Sequence, residues 1–129
     1  MSNIIDFAEE LKARTKKLAI SIILYHKKFP KTEEAKIIGR QLLRSSTSIA
    51  ANYRAVCRAR SDAEFYSKIC IVVEEADETV FWLEIIKEIN INDIDETNQL
   101  LSEANEILKI MAASKKKASL SKFNNSTTQ

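Results

Sequence analysis

The run from Ser45 to Trp82, SSTSIAANYRAVCRARSDAEFYSKICIVVEEADETVFW, constrains the fold more than any other part of the chain. Both of its arms repeat apolar residues every three or four positions, the spacing of a helix that buries one stripe. Between the arms, Ser61-Asp62-Ala63-Glu64 has the form of a capping box: the serine oxygen accepts from the amide three residues on, and the glutamate reaches back. Two long helices joined by a tight turn at Arg60 and Ser61 are therefore expected to lie side by side. Their charges are opposite. Residues 33–60 carry Lys36 and five arginines against Glu33 and Glu34, a net of +4, while residues 62–90 carry eight acids against Lys68 and Lys87, a net of −6.

The rest of the chain supports the same architecture. One glycine and one proline among 129 residues leave little material for hairpin turns, so long helices are favoured over a sheet. A first helical pattern places Ile4, Phe7, Leu11, Leu18, Ile22 and Tyr25 on one stripe, with Ser2 or Asn3 as its cap, and Phe29-Pro30 ends it. Thr32 caps the second helix, whose first turn holds Glu33 and Glu34 beside the positive end of the helix dipole. Its inward stripe is Ala35, Ile38, Leu42, Ile49, Tyr53 and Val56, with Ser45 and Asn52 at the margin as polar groups that fix register. Gly39, unfavourable inside a helix by about 1 kcal/mol, is a candidate point of close helix crossing. The third helix runs from Asp62 to Ile89 with Phe65, Ile69, Val72, Ala76, Thr79, Leu83 and Ile86 inward. Asn90, Asn92 and Asp93 interrupt the pattern. A fourth helix from about Ile94 to Ala113 turns Leu100, Leu101, Ala104, Ile107, Leu108 and Met111 to the core.

The expected fold is an all-α, up-down-up-down antiparallel four-helix bundle over residues 1–114. Residues 115–129, rich in lysine and serine and without periodicity, are expected to form a disordered tail. That tail holds four lysines and no acid, so the net charge of +2 conceals a body of 16 basic and 18 acidic residues. Two cysteines within helical patterns point to a reducing compartment. With no apolar run near the length of a membrane span and an acidic N-terminus unlike a signal peptide, a cytoplasmic protein without membrane partners is expected.

Two surfaces stand out on helical wheels. Arg40, Arg44, Arg54 and Arg58 cluster on the side of the second helix opposite its core stripe. On the third helix, Ile71, Glu74, Glu78, Trp82, Ile85 and Ile89 form an arc beside the core stripe, more apolar than a monomeric bundle requires. Arginine suits carboxylate and phosphate through the same planar fork. The arginine row thus has three readings: a solvated helix face, a contact with acids of a neighbouring subunit, or a phosphate-binding surface on RNA or DNA. The arc reads as a subunit interface centred on Trp82, and contact between two different surfaces of identical chains closes into a ring.

Catalytic readings find little support. Carboxylate di-metal bundles need inward glutamates and Glu-x-x-His pairs, whereas most of the Glu74, Glu75, Asp77 and Glu78 cluster points away from the core, and His26 has no glutamate three residues before it. One glycine cannot build a phosphate loop, and Cys57 has no neighbouring base. No metal, cofactor or enzymatic activity is expected.

The run SSTSIAANYRAVCRARSDAEFYSKICIVVEEADETVFWLEII, with FPKTEEAKIIGRQLLRSS ahead of it, resembles the bacterial four-helix-bundle proteins first noticed as products of intervening sequences within large-subunit ribosomal RNA genes. It is also similar to the accessory variability proteins of diversity-generating retroelements. The likeness extends over about residues 5–113. It implies a bundle assembled as a ring, commonly a homopentamer, with no established enzymatic activity. In the retroelement relatives the ring binds nucleic acid and a reverse transcriptase through basic surface. Asn52-Tyr53-Arg54-Ala55-Val56 replaces the family's common Asn-Ile-Ala-Glu-Gly run and marks a different branch. The functional expectation is a non-enzymatic homo-oligomer that acts as a nucleic-acid-binding accessory protein. The alternative is a protein-interaction scaffold whose arginine face serves subunit contacts.

Overall fold

The computed structural model describes the backbone of residues 3–127 and the side chains of 6–121. Four helices follow one another: α1 (Asn3–His26), α2 (Glu33–Cys57), α3 (Asp62–Ile89) and α4 (Ile94–Thr127). Each packs on its neighbours in sequence and α4 returns against α1, while neither diagonal pair makes a close approach among the described residues. This is the all-α four-helix bundle expected from the sequence.

The helix boundaries follow their capping chemistry. Thr32 accepts from the Ala35 amide at 3.3 Å, and Ser61 accepts from the Glu64 amide at 3.1 Å. Asp93 caps α4 through the Glu96 amide at 2.8 Å. The α3–α4 turn is closed by Asn90 in the left-handed region, φ 54° and ψ 51°, which asparagine tolerates better than most residues with a side chain. The proposed cap Ser2 and the Ile4 side chain lie outside the described residues, as do residues 128 and 129 of the tail.

The core is a column of aliphatic side chains: Leu11, Leu18 and Ile22 from α1, Leu42, Ile49 and Val56 from α2, Ile69, Val72, Leu83 and Ile86 from α3, and Ile107 and Met111 from α4. Among the described residues five polar side chains, Thr15, Ser45, Ser46, Thr79 and Thr97, are buried with their hydrogen bonds made. Thr15 donates to the Leu11 carbonyl at 2.9 Å. The Ser45 and Thr79 hydroxyls meet at 2.9 Å across the α2/α3 seam, with the carbonyls of Leu42 and Glu75 as further acceptors. Asn52 stays on its own helix, donating to the Ser48 carbonyl and hydroxyl, both at 2.9 Å. Gly39 lies against the side chains of His26, at the end of α1, and Phe29. A Cβ there would meet His26 Nε2 at 2.5 Å, and the His26 ring is held at 5.0 Å from Phe29.

Two sequence expectations are corrected. Phe7 is 48% exposed instead of buried. It lies near the start of α1, a helix that packs less extensively on α4 than on α2. The larger change is in α4. It does not end near Ala113 but continues as one helix through the lysine-rich segment to Thr127. Lysine, alanine, serine and leucine include no strong helix breaker. Ala118, seven residues beyond Met111, extends the buried stripe.

Candidate nucleic-acid interface

The sequence-expected arginines divide into two groups. Arg40, Arg54 and Arg58 are exposed and make no ion pair among the described residues. From Arg40 to Arg58 they span about 27 Å at 1.5 Å per residue. Arg44 differs. Its guanidinium donates to Glu75 at 3.1 Å and to Gln41 at 3.1 Å, and it pairs with Glu78. The arginine that rotates furthest toward α3 thus meets the acids of its own chain.

The α3 arc occupies the outer side of that helix. Ile71, Glu74 and Ile89 are exposed, while Glu78, Trp82 and Ile85 are half-buried. The Trp82 indole donates to Glu78 at 3.4 Å and stacks edge-on against Phe81 with ring centroids 4.9 Å apart. Glu78 is therefore engaged by Arg44 and Trp82 within one chain, whereas Glu74 makes no ion pair among the described residues.

Packing of the lysine segment gathers more cationic side chains than the arginine row alone. On the α2 side of the first turns of α3, an open depression is lined by Ala55, Arg58, Arg60, Glu64 and Lys68. On the α4 side of the same turns, a second depression is lined by Tyr66, Ala112, Lys115, Lys116, Ser119 and Leu120. One end of the bundle thus carries Arg58, Arg60 and Lys68 on one flank of α3 and Lys115 and Lys116 on the other. Sequence reasoning missed Arg60, Lys68 and Tyr66. The signal available was the continued spacing Ile107, Met111, Ala118, which brings the lysines back against α3.

Titratable groups inside the bundle serve structure. Burial raises the Tyr25 phenol above its usual range, opposed by its hydrogen bond to Thr97. Burial, reinforced by nearby Cys57, raises Tyr53. The Arg14 guanidinium is held still more firmly protonated by its hydrogen bonds to Glu103 and Glu106. No cluster of three or more histidine, cysteine or acidic side chains with metal-binding geometry occurs among the described residues, and no helix there is long and apolar enough to cross a membrane.

Comparison with known proteins identifies a family and a solved relative among several that match. The family model described as 23S rRNA-intervening sequence protein matches residues 9–113. A crystal structure of a protein with unknown function from the S23 ribosomal protein family of Bacteroides thetaiotaomicron is 29% identical. The alignment covers 82% of this chain and 98% of that one, with a TM-score of 0.75. No curated protein matches the chain.

Proposed function

The chain belongs to the 23S rRNA-intervening sequence protein family, and from that premise we propose that it is a non-enzymatic accessory protein of the bacterial cytoplasm that binds nucleic acid as a homo-oligomer, with a pentameric ring as the favoured state. The observation that carries the reading is the basic end of the bundle: Arg58, Arg60 and Lys68 on one flank of α3, Lys115 and Lys116 on the other, with Arg54 one turn earlier on α2. Phosphate binding rewards several separated cations along a path more than one deep pocket, and both depressions are open. Repetition around a ring multiplies a weak contact into a strong one by raising the effective concentration of the remaining sites.

A double reversal, Arg54→Glu with Arg58→Glu, tests it. The expected result is weaker binding of single-stranded RNA at an unchanged native mass. The slope of log K against log salt should become shallower by about 1.4, the value for two lost phosphate contacts. Unchanged affinity would contradict the reading. Dissociation of the oligomer would favour the second reading, a protein-interaction scaffold whose arginines hold subunits together. That scaffold reading gains from the exposed apolar arc on α3 but loses Glu78 as an intersubunit acceptor, because Arg44 of the same chain already occupies it.

A further inference from the structure

The outer face of α1 was not singled out by its sequence, and the bundle leaves it uncovered. Ile20, Ile23 and Leu24 are 48%, 39% and 54% exposed within little more than one turn. The surrounding charge has one sign: residues 11–28 hold six lysines and arginines and no acid. Three of those cations are neutralised inside the chain, Lys12 by Glu9, Arg14 by Glu103 and Glu106, and Lys28 by Glu96. Lys16, Lys17 and Lys27 remain exposed without an ion pair among the described residues.

The diagonal helix presents the counterpart. Residues 70–89 hold six acids against Lys87 alone. Arg44 satisfies Glu75 and Glu78, which leaves Glu74, Asp77, Glu84 and Glu88 without an ion pair among the described residues. Between and beside those acids, Ile71, Phe81 and Ile89 are 42%, 48% and 45% exposed. One face is aliphatic and rimmed by lysine, and the other is apolar and rimmed by carboxylate. Neither is self-complementary, because a two-fold contact would set like charges together.

We propose that the lysine-rimmed face of α1 docks on the acid-rimmed apolar arc of α3 in a second copy of this chain, head to tail. Such a contact repeats from copy to copy and closes where the rotation between subunits allows. Because it uses α1 and α3, the arginines of α2 and the lysines of α4 stay available to phosphate. The inference rests on the self-association in the functional reading above and identifies the two surfaces that meet.

The test uses two variants of the full chain, each altered on one face: Ile20→Glu with Leu24→Glu on α1, and Ile71→Glu with Phe81→Glu on α3. All four positions are exposed, so the helical circular dichroism should match that of the parent. Each variant alone should sediment as a single chain of about 14.7 kDa. An equimolar mixture should form a one-to-one dimer and nothing larger, since each partner contributes one intact face. A milder pair guards against misfolding: Lys16→Glu with Lys17→Glu should lose the oligomer, and adding Glu74→Lys with Asp77→Lys to the same chain should restore the full native mass.

If the parent is an oligomer and both α1 variants remain one, the pairing is wrong while self-association stands. Monomeric variants that fail to complement each other would also overturn the head-to-tail pairing. A monomeric parent would remove both the pairing and the self-association beneath it.

Discussion

The seam between α2 and α3 and the seam between α1 and α4 hold the same bundle together in different ways. At α2/α3, large aliphatic side chains interdigitate, and a single buried hydroxyl pair, Ser45 with Thr79, marks the register. At α1/α4 the helices approach each other less extensively, and polar links between distant residues set their alignment. Arg14 grips Glu103 through two parallel hydrogen bonds of 2.7 and 2.8 Å and reaches Glu106 at 2.9 Å. Tyr25 meets Thr97 at 2.5 Å, and because the Thr97 proton goes to the Asp93 carbonyl at 2.7 Å, tyrosine is the donor. Asn92 donates to the Tyr25 carbonyl at 3.0 Å, and Lys28 pairs with Glu96. Where apolar ridges interlock they fix the register themselves; where they do not, directional bonds select it.

The largest expected effect falls on the apolar seam. Leu83→Ala removes a fully buried side chain from α3 and should lower unfolding free energy by about 3 kcal/mol in urea titration, by lost burial plus the cavity left behind. A cost below about 1 kcal/mol would mean that this seam is looser than its packing implies.

Next comes the buried polar link on the other seam. Tyr25→Phe leaves the ring and removes the donor, at an expected cost of about 1 kcal/mol. It also carries a pH signature. The Tyr25 pKa is raised in the folded state, so above the unfolded phenol value near 10 the unfolded chain holds fewer protons than the folded one, and stability falls as pH rises. The phenylalanine variant should lose part of that alkaline sensitivity in thermal melts at pH 9 to 11, with the remainder belonging to Tyr53.

Smaller still is Arg14→Ala, at about 0.5–1 kcal/mol for a partly exposed bidentate pair, with the difference from the parent shrinking in high salt. Arg54→Glu with Arg58→Glu touches neither seam and should leave stability within about 0.5 kcal/mol of the parent, which separates its expected effect on RNA binding from any effect on folding.

The same contrast explains what was legible in the sequence. Core stripes of α2 and α3 and the Thr32 and Ser61 caps follow from local spacing or local chemistry, and the bundle follows from them. The α1/α4 links join residues 67 to 92 positions apart, and nothing local to Arg14 or Tyr25 names Glu103 or Thr97 as the partner. For the same reason Arg44 read as one member of an outward row, although its position nearest α3 takes it to Glu75 and Glu78. In the last segment, four lysines obscured a single small buried residue, Ala118, which continues the stripe. The apolar patch on α1 escaped notice because Ile20, Ile23 and Leu24 interleave with the core positions Leu18, Ile22 and Tyr25, so the helix looks uniformly hydrophobic there.

The account depends most directly on self-association, and native mass by sedimentation at low and at high salt tests it. The expected result is a multiple of the 14.7 kDa chain in both conditions, five chains being the favoured number. It should weaken with salt but persist, because apolar side chains on α1 and α3 lie within the lysine and carboxylate rims. A single-chain mass in both conditions would contradict the account.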